Sequence, residues 1–291
     1  MALALQPLSA SAETVRLAPS TNWEVNHDKD SCVLARIFGE GEDRTGLYFS
    51  RFEPGDEFRL TLVSDYVRAG HYGDEHGAMD VKIQFGPAEG AFRVRATAAT
   101  TEADQKALIF SGHMTIAGAG ESAEDEGKWL NADLADPYEL PPERESAITE
   151  LVFHSGLREE LILETGSLGK PFAVLRDCND WLLGQWGIDV EAHRHLTRRA
   201  RPVSDPQKWL RSADYPKSML SELRTGLVQF RLAIEPDGSI SDCTIQQSTN
   251  PEDFSRTTCD LIKRRARFEP ALDAAGQPIR SYWRGAVRWL L

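Results

Sequence analysis

The stretch GLVQFRLAIEPDGSISDCTIQQS, residues 226–248, decides how the last part of the chain folds. Val228, Phe230, Leu232 and Ile234 alternate with Gln229 and Arg231, the period of a strand with one buried face. Glu235-Pro236-Asp237-Gly238 supplies turn chemistry, and Ile240 to Gln247 returns with Cys243 and Ile245 on one face, completing a β-hairpin. Pro251 then stands at the first turn of a helix running to about Arg265, lined on one side by Phe254, Thr258, Leu261, Ile262 and Ala266. Four basic side chains between Lys263 and Arg267 fall in its last turn, where cations meet the free carbonyls and the negative end of the helix dipole. Phe268 turns into the core and Pro270 stops the helix. The final strand, Ile279 to Leu291, places Trp283, Val287, Trp289 and Leu291 on one face and Arg280, Tyr282, Arg284 and Arg288 on the other. A hairpin, a helix crossover and a third strand beside the first predict a small α+β sandwich, with one edge of the last strand unpaired.

Outward from this module, the 291 residues carry a formal net charge of -12, unevenly placed. Residues 203–291 hold 13 Lys+Arg against 11 Asp+Glu, leaving 20 against 34 before them. Such an acidic chain lacks the basic face that phosphate neutralisation requires, which sets nucleic acid aside as a partner. The same imbalance predicts a weak, salt-sensitive attraction between the acidic first part and the arginine face of the last strand, with two independent domains on a flexible linker as the alternative.

Residues 1–12, MALALQPLSASA, join a short apolar run to Ala10-Ser11-Ala12 and read as an export signal cut before Glu13. The segment is short and lacks a basic start, so the expectation is a truncated signal. No later window is apolar over the length a bilayer requires. Cys32, Cys178, Cys243 and Cys259 fall two in each half without CxxC or Cys/His ligand spacing. In an oxidising compartment they predict the disulfides Cys32 to Cys178 and Cys243 to Cys259; four buried thiols are the alternative in a reducing one.

Residues 13–188 read as an acidic β-rich domain. Ser31 to Gly39, Gly46 to Phe52, Phe58 to Val63, Met79 to Phe85, Phe92 to Ala98, Ala107 to Ile116, Leu151 to His154 and Glu160 to Thr165 are strand-like, with Gly118 to Gly127 as a loop. Gly169-Lys170-Pro171 opens a helix with Phe172, Leu175, Trp181, Leu182 and Leu183 near a 3.6 period, and a Cys32 bond would clamp it to an early strand. Residues 189–213, polar and basic, read as a linker with little core.

Asp214-Tyr215-Pro216, Gly226-Leu227-Val228, Asp237-Gly238, Gln246-Gln247-Ser248, Arg264 through Pro270, Gly276-Gln277-Pro278 and Val287-Arg288-Trp289 resemble, in order and spacing, the TonB carboxyl-terminal domain family over residues 214–291. The amino-terminal domain resembles no family of known activity. The resemblance implies a periplasmic protein that recognises an envelope protein or outer-membrane receptor by accepting its peptide as an added strand, with a link to outer-membrane transport. Arg280, Tyr282, Arg284 and Arg288 are the expected peptide-binding side chains, their charge favouring acidic peptides. Ser212, Asp214, Tyr215 and Pro216 lie near the segment where the family meets its ligand, although Arg211 to Asp214 does not carry over the ligand's identity. In place of the membrane anchor and Pro-rich spacer of the energy transducers stands the acidic domain, which sets binding above force transmission.

The alternative is an envelope enzyme or metal-binding protein whose activity lies in residues 13–188, docked by the TonB-like domain. Its best candidate, His71-Tyr72-Gly73-Asp74-Glu75-His76, misses the HExxH and HxxEH spacings and contains a helix-breaking glycine. His193 and His195 sit among arginines in the linker. No GxSxG elbow, P-loop or dinucleotide fingerprint occurs, and Glu159-Glu160 lie on opposite faces of a strand. The expectation is a protein without catalytic residues, metal or cofactor.

Overall fold

The computed structural model describes residues 14–68, 78–101, 103–110, 114–119, 140–248 and 252–291. The export signal, the His71 to His76 candidate, Pro251 and most of the Gly118 to Gly127 loop lie outside the described residues.

Strands β1 (Thr14–Leu17), β2 (Glu24–His27), β3 (Cys32–Phe38), β4 (Thr45–Arg51), β5 (Arg59–Val63), β6 (Ala78–Phe85), β7 (Phe92–Thr100) and β8 (Lys106–Phe110) open the first unit. A small pair, β9 (Met114–Thr115) and β10 (Gly118–Ala119), follows, then β11 (Leu151–Phe153) and β12 (Glu160–Leu163). Ten of these strands form one sheet in the order β1-β12-β11-β6-β7-β8-β5-β4-β3-β2. The β1 end of that order reaches back to β3, the last strand but one at the other end: Pro19 bridges Phe38, and the Gly39 amide donates to the Ala18 carbonyl at 2.9 Å. The sheet therefore curls on itself.

Alternation explains the curled core. Leu47 and Phe49, Leu60 and Leu62, Val81, Ile83 and Phe85, and Leu161 and Leu163 turn inward at every second position and are buried. After α1 (Pro142–Ala147), helix α2 (Gly169–Gln185) lays Phe172, Leu175, Cys178, Leu182 and Leu183 against this interior. Phe49 meets Phe58 at 5.0 Å and Phe172 at 5.2 Å between ring centroids, in the edge-to-face geometry aromatic pairs favour. The bond Cys32–Cys178 fixes α2 to β3, with S–S 1.96 Å. Closing a loop of 146 residues contributes about 5 kcal/mol in the chain-entropy account.

The second unit follows the hairpin reading. Helix α4 (Lys217–Ser221) precedes β14 (Gly226–Ile234) and β15 (Ile240–Ser248), and helix α5 (Glu252–Arg265) crosses them before β19 (Ser281–Trp289). The sheet order is β15-β14-β19, so the third strand lies beside the first. Cys243 and Cys259 are bonded, tying α5 to β15. The basic run is architectural: Arg265 donates to Asp214 and to the Trp209 carbonyl, Arg264 to the Asp260 carbonyl, and Arg267 to the Ala266 carbonyl. Gly238, at φ +80°, lets its carbonyl receive the Phe268 amide at 3.2 Å, joining the hairpin turn to the Arg-Phe-Glu-Pro corner.

The linker expectation is corrected. Residues 189–213 contain α3 (Val190–Arg194) and β13 (Arg201–Pro202), the latter paired with β16 (Phe268–Glu269), and the short hairpin β17 (Ala271–Leu272) and β18 (Pro278–Ile279) follows. Trp209 is 1% exposed and packs on Trp283 at 5.3 Å and Phe268 at 5.7 Å. A single indole carries enough apolar area to anchor a segment whose other residues are polar.

Candidate functional site

Strand β19 is the element on which the candidate surfaces converge. Nine consecutive residue pairs join it to β14, from Gly226 with Trp289 to Ile234 with Ser281. Among the described residues its opposite edge pairs with no strand. Trp283, Val287 and Trp289 face the second core, as the alternation requires.

The other face of β19 does not stand in open solvent. Tyr282 is buried and belongs to the first core, its ring 5.4 Å from Trp186 and 5.3 Å from His193. Arg284 forms an ion pair with Glu53, donates to Gln246 at 2.8 Å, and lies 5.5 Å from the Phe52 ring. Arg280 pairs with Glu235 at 2.7 Å. Arg288 is exposed. Two members of the expected arginine row therefore meet carboxylates of the same chain, and the exposed charge lies at Arg288.

Register places Arg231 of β14 directly opposite Arg284 of β19. Like charges so placed repel across a sheet. The first unit neutralises both: Arg284 through Glu53, and Arg231 through Asp30 at 2.8 Å. The Arg231 and Asp30 side chains are only 8% and 10% exposed, and the Arg231 guanidinium lies 4.1 Å from the centre of the Trp186 ring. Around them Gln246 donates to the Phe52 carbonyl at 3.3 Å, and Arg59 donates to Gln247 and, at 2.5 Å, to Gln229.

The two units thus touch through Arg284 of the last strand and through the buried Arg231–Asp30 pair, which differs from the expected contact between solvated charges. The buried arginine, Arg231, comes from the hairpin. Burial, and then the neighbouring Arg284, lowers the Arg59 guanidinium to about 10. Burial, and then Arg199, lowers His193 to about 4, so it is neutral at pH 7.

Ser212 and Asp214 bound a short 3-10 turn, and Pro216 leads into α4. Asp214 accepts from Arg265 at 2.5 and 2.9 Å and from the Arg211 amide at 2.8 Å. The Tyr215 ring stands edge-on to Phe254 and Trp289, each at 5.6 Å, and its hydroxyl donates to the Arg224 carbonyl. These contacts bring the 212–216 segment to the Trp289 end of β19 and to the end of α5.

Nothing in the sequence singles out Asp30, Glu53 or Trp186, and Gln246 enters only through the family resemblance. Arg231 reads in the sequence as an ordinary charge on the polar face of a half-buried strand, and only the structure shows it buried. Among the described residues no group of three or more His, Cys, Asp or Glu is placed to hold a metal ion. No helix among them is long and apolar enough to cross a membrane.

Residues 211–291 match the sequence family described as Gram-negative bacterial TonB protein C-terminal. The match covers just over a quarter of the chain and contains β14, β15, α5 and β19. No curated protein matches the chain.

Proposed function

We propose that this chain is a periplasmic TonB-like recognition protein that binds an extended peptide of an outer-membrane receptor or other envelope partner by strand addition to the open edge of β19. The observation that carries this reading is that edge: nine residues long, backed by a complete ladder to β14, and unpaired among the described residues of a TonB-like unit. Unpaired edge amides and carbonyls are a template for another strand. The two disulfides fit an oxidising compartment.

In this account main-chain hydrogen bonds supply affinity. Arg288 and the 212–216 segment at the Trp289 end supply selectivity, with Arg280, Tyr282 and Arg284 holding β19 in place from behind. The test uses extended peptides from the periplasmic ends of outer-membrane receptors. A peptide that binds should lose at least ten-fold in affinity when alternate amides are N-methylated, because a ladder hydrogen bond is lost at each. Equal affinity of the methylated and parent peptides overturns strand addition. Arg288→Glu should weaken acidic peptides while leaving the domain contact intact.

A further inference from the structure

The seat that receives Arg231 is made of two separate pieces of the first unit. Asp30 lies in the turn between β2 and β3, closed by the His27 with Cys32 pair, and Trp186 caps the end of α2. A covalent bond and a ring contact hold these pieces together: Cys32, the first residue of β3, is bonded to Cys178 of α2, and the His27 ring meets Trp181 of α2 edge-on at 5.1 Å. Cys32 is two residues from Asp30, and Cys178 is two helical turns from Trp186. The disulfide is buried, at 0% and 2% exposure for its cysteines.

We propose that the Cys32–Cys178 bond builds the docking seat, so that the TonB-like unit locks onto the first unit only after that bond has formed. The chemistry is a thiol-disulfide exchange. Cys32 and Cys178 thiols give up two electrons and two protons to a disulfide-bearing oxidant of the envelope, which leaves as a dithiol. In the reduced chain the β2–β3 turn and the end of α2 move separately, and Asp30 and Trp186 no longer face one guanidinium together. Arg231 and Asp30 then regain water, which favours separation over a buried unmatched pair. The curled sheet persists, because Phe172, Leu175, Leu182 and Leu183 still pack α2 into it.

Replacing Cys32→Ala with Cys178→Ala in the full chain, and following amide hydrogen exchange with solution scattering, tests this. Exchange in residues 28–31 and 229–233 should accelerate more than about ten-fold, the mark of a local opening, and the radius of gyration should rise. Far-UV dichroism should remain that of the parent. Asp30→Asn, with both disulfides intact, should release the second unit equally, and adding it to the cysteine pair should release it no further. Replacing Cys243→Ala with Cys259→Ala should leave the contact closed. Parental exchange in the Cys32/Cys178 variant, loss of the whole first unit's structure, or a closed contact in Asp30→Asn each overturns the proposal.

Discussion

Asp214 and His193 give opposite environments to titrating groups and make separable predictions. Hydrogen bonding from Arg265 holds the Asp214 carboxyl below the usual carboxylate range. Its contribution is complete above the unfolded value of about 3.9 and is lost as pH falls through the lower folded value. Asp214→Asn should therefore lessen the loss of stability in acid, read from urea midpoints between pH 7 and pH 2; an unchanged loss contradicts this. His193 is lowered to about 4 by burial and then by Arg199. The unfolded imidazole takes its proton near 6.5 while the folded one does not, so stability falls as pH drops from about 6.5 to about 4. His193→Gln should remove that loss in melting temperatures at pH 7.5 and 5.0, and parallel losses in parent and variant contradict it. A third residue, Arg176, donates to Glu145, whose side chain is 1% exposed. Arg176→Met should cost about 3 kcal/mol, since it leaves a carboxylate buried without its partner.

At the scale of elements, the hairpin of β14 and β15 depends on Gly238. A Cβ there would lie 2.0 Å from the Phe268 carbonyl oxygen, at a backbone φ of +80° that side chains disfavour. Gly238→Ala should destabilise the second unit by about 3 kcal/mol or more, visible as a lower denaturant midpoint with the first unit unaffected. This hairpin was legible in the sequence because alternation and turn chemistry are local. Helix α5, its basic end and the Phe268 corner were legible for the same reason. Strands β1 and β2 were not, because their mostly exposed and half-buried side chains leave no apolar alternation to detect. In the tail of α2 the apolar reading holds for Leu182 and Leu183 but not for Trp181, which is 44% exposed, and nothing local distinguishes its indole from that of Trp186, which meets Arg231. Trp209 was missed because its partners Phe268 and Trp283 lie far along the chain.

Across the whole molecule, the outward side chains of β19 hold the first unit through Tyr282 and Arg284, and in the proposed function the edge of the same strand is offered to a partner. The strand and its two faces were legible from periodicity, and topology led to the expectation of an open edge. The sequence alone could not place Asp30 or Glu53 opposite Arg231 and Arg284, since that match requires both units folded and in register. Tyr282 and Arg284 of the arginine face consequently make a domain contact, and the proposed strand addition is confined to the main-chain edge with Arg288. The most direct test is hydrogen exchange of the oxidised full chain, with and without an outer-membrane receptor peptide retained in pull-down. Strand addition predicts protection of alternate amides within residues 281–289, those directed away from β14, with residues 14–188 unchanged. Protection confined to residues 14–188, or none along β19 at saturating peptide, contradicts it.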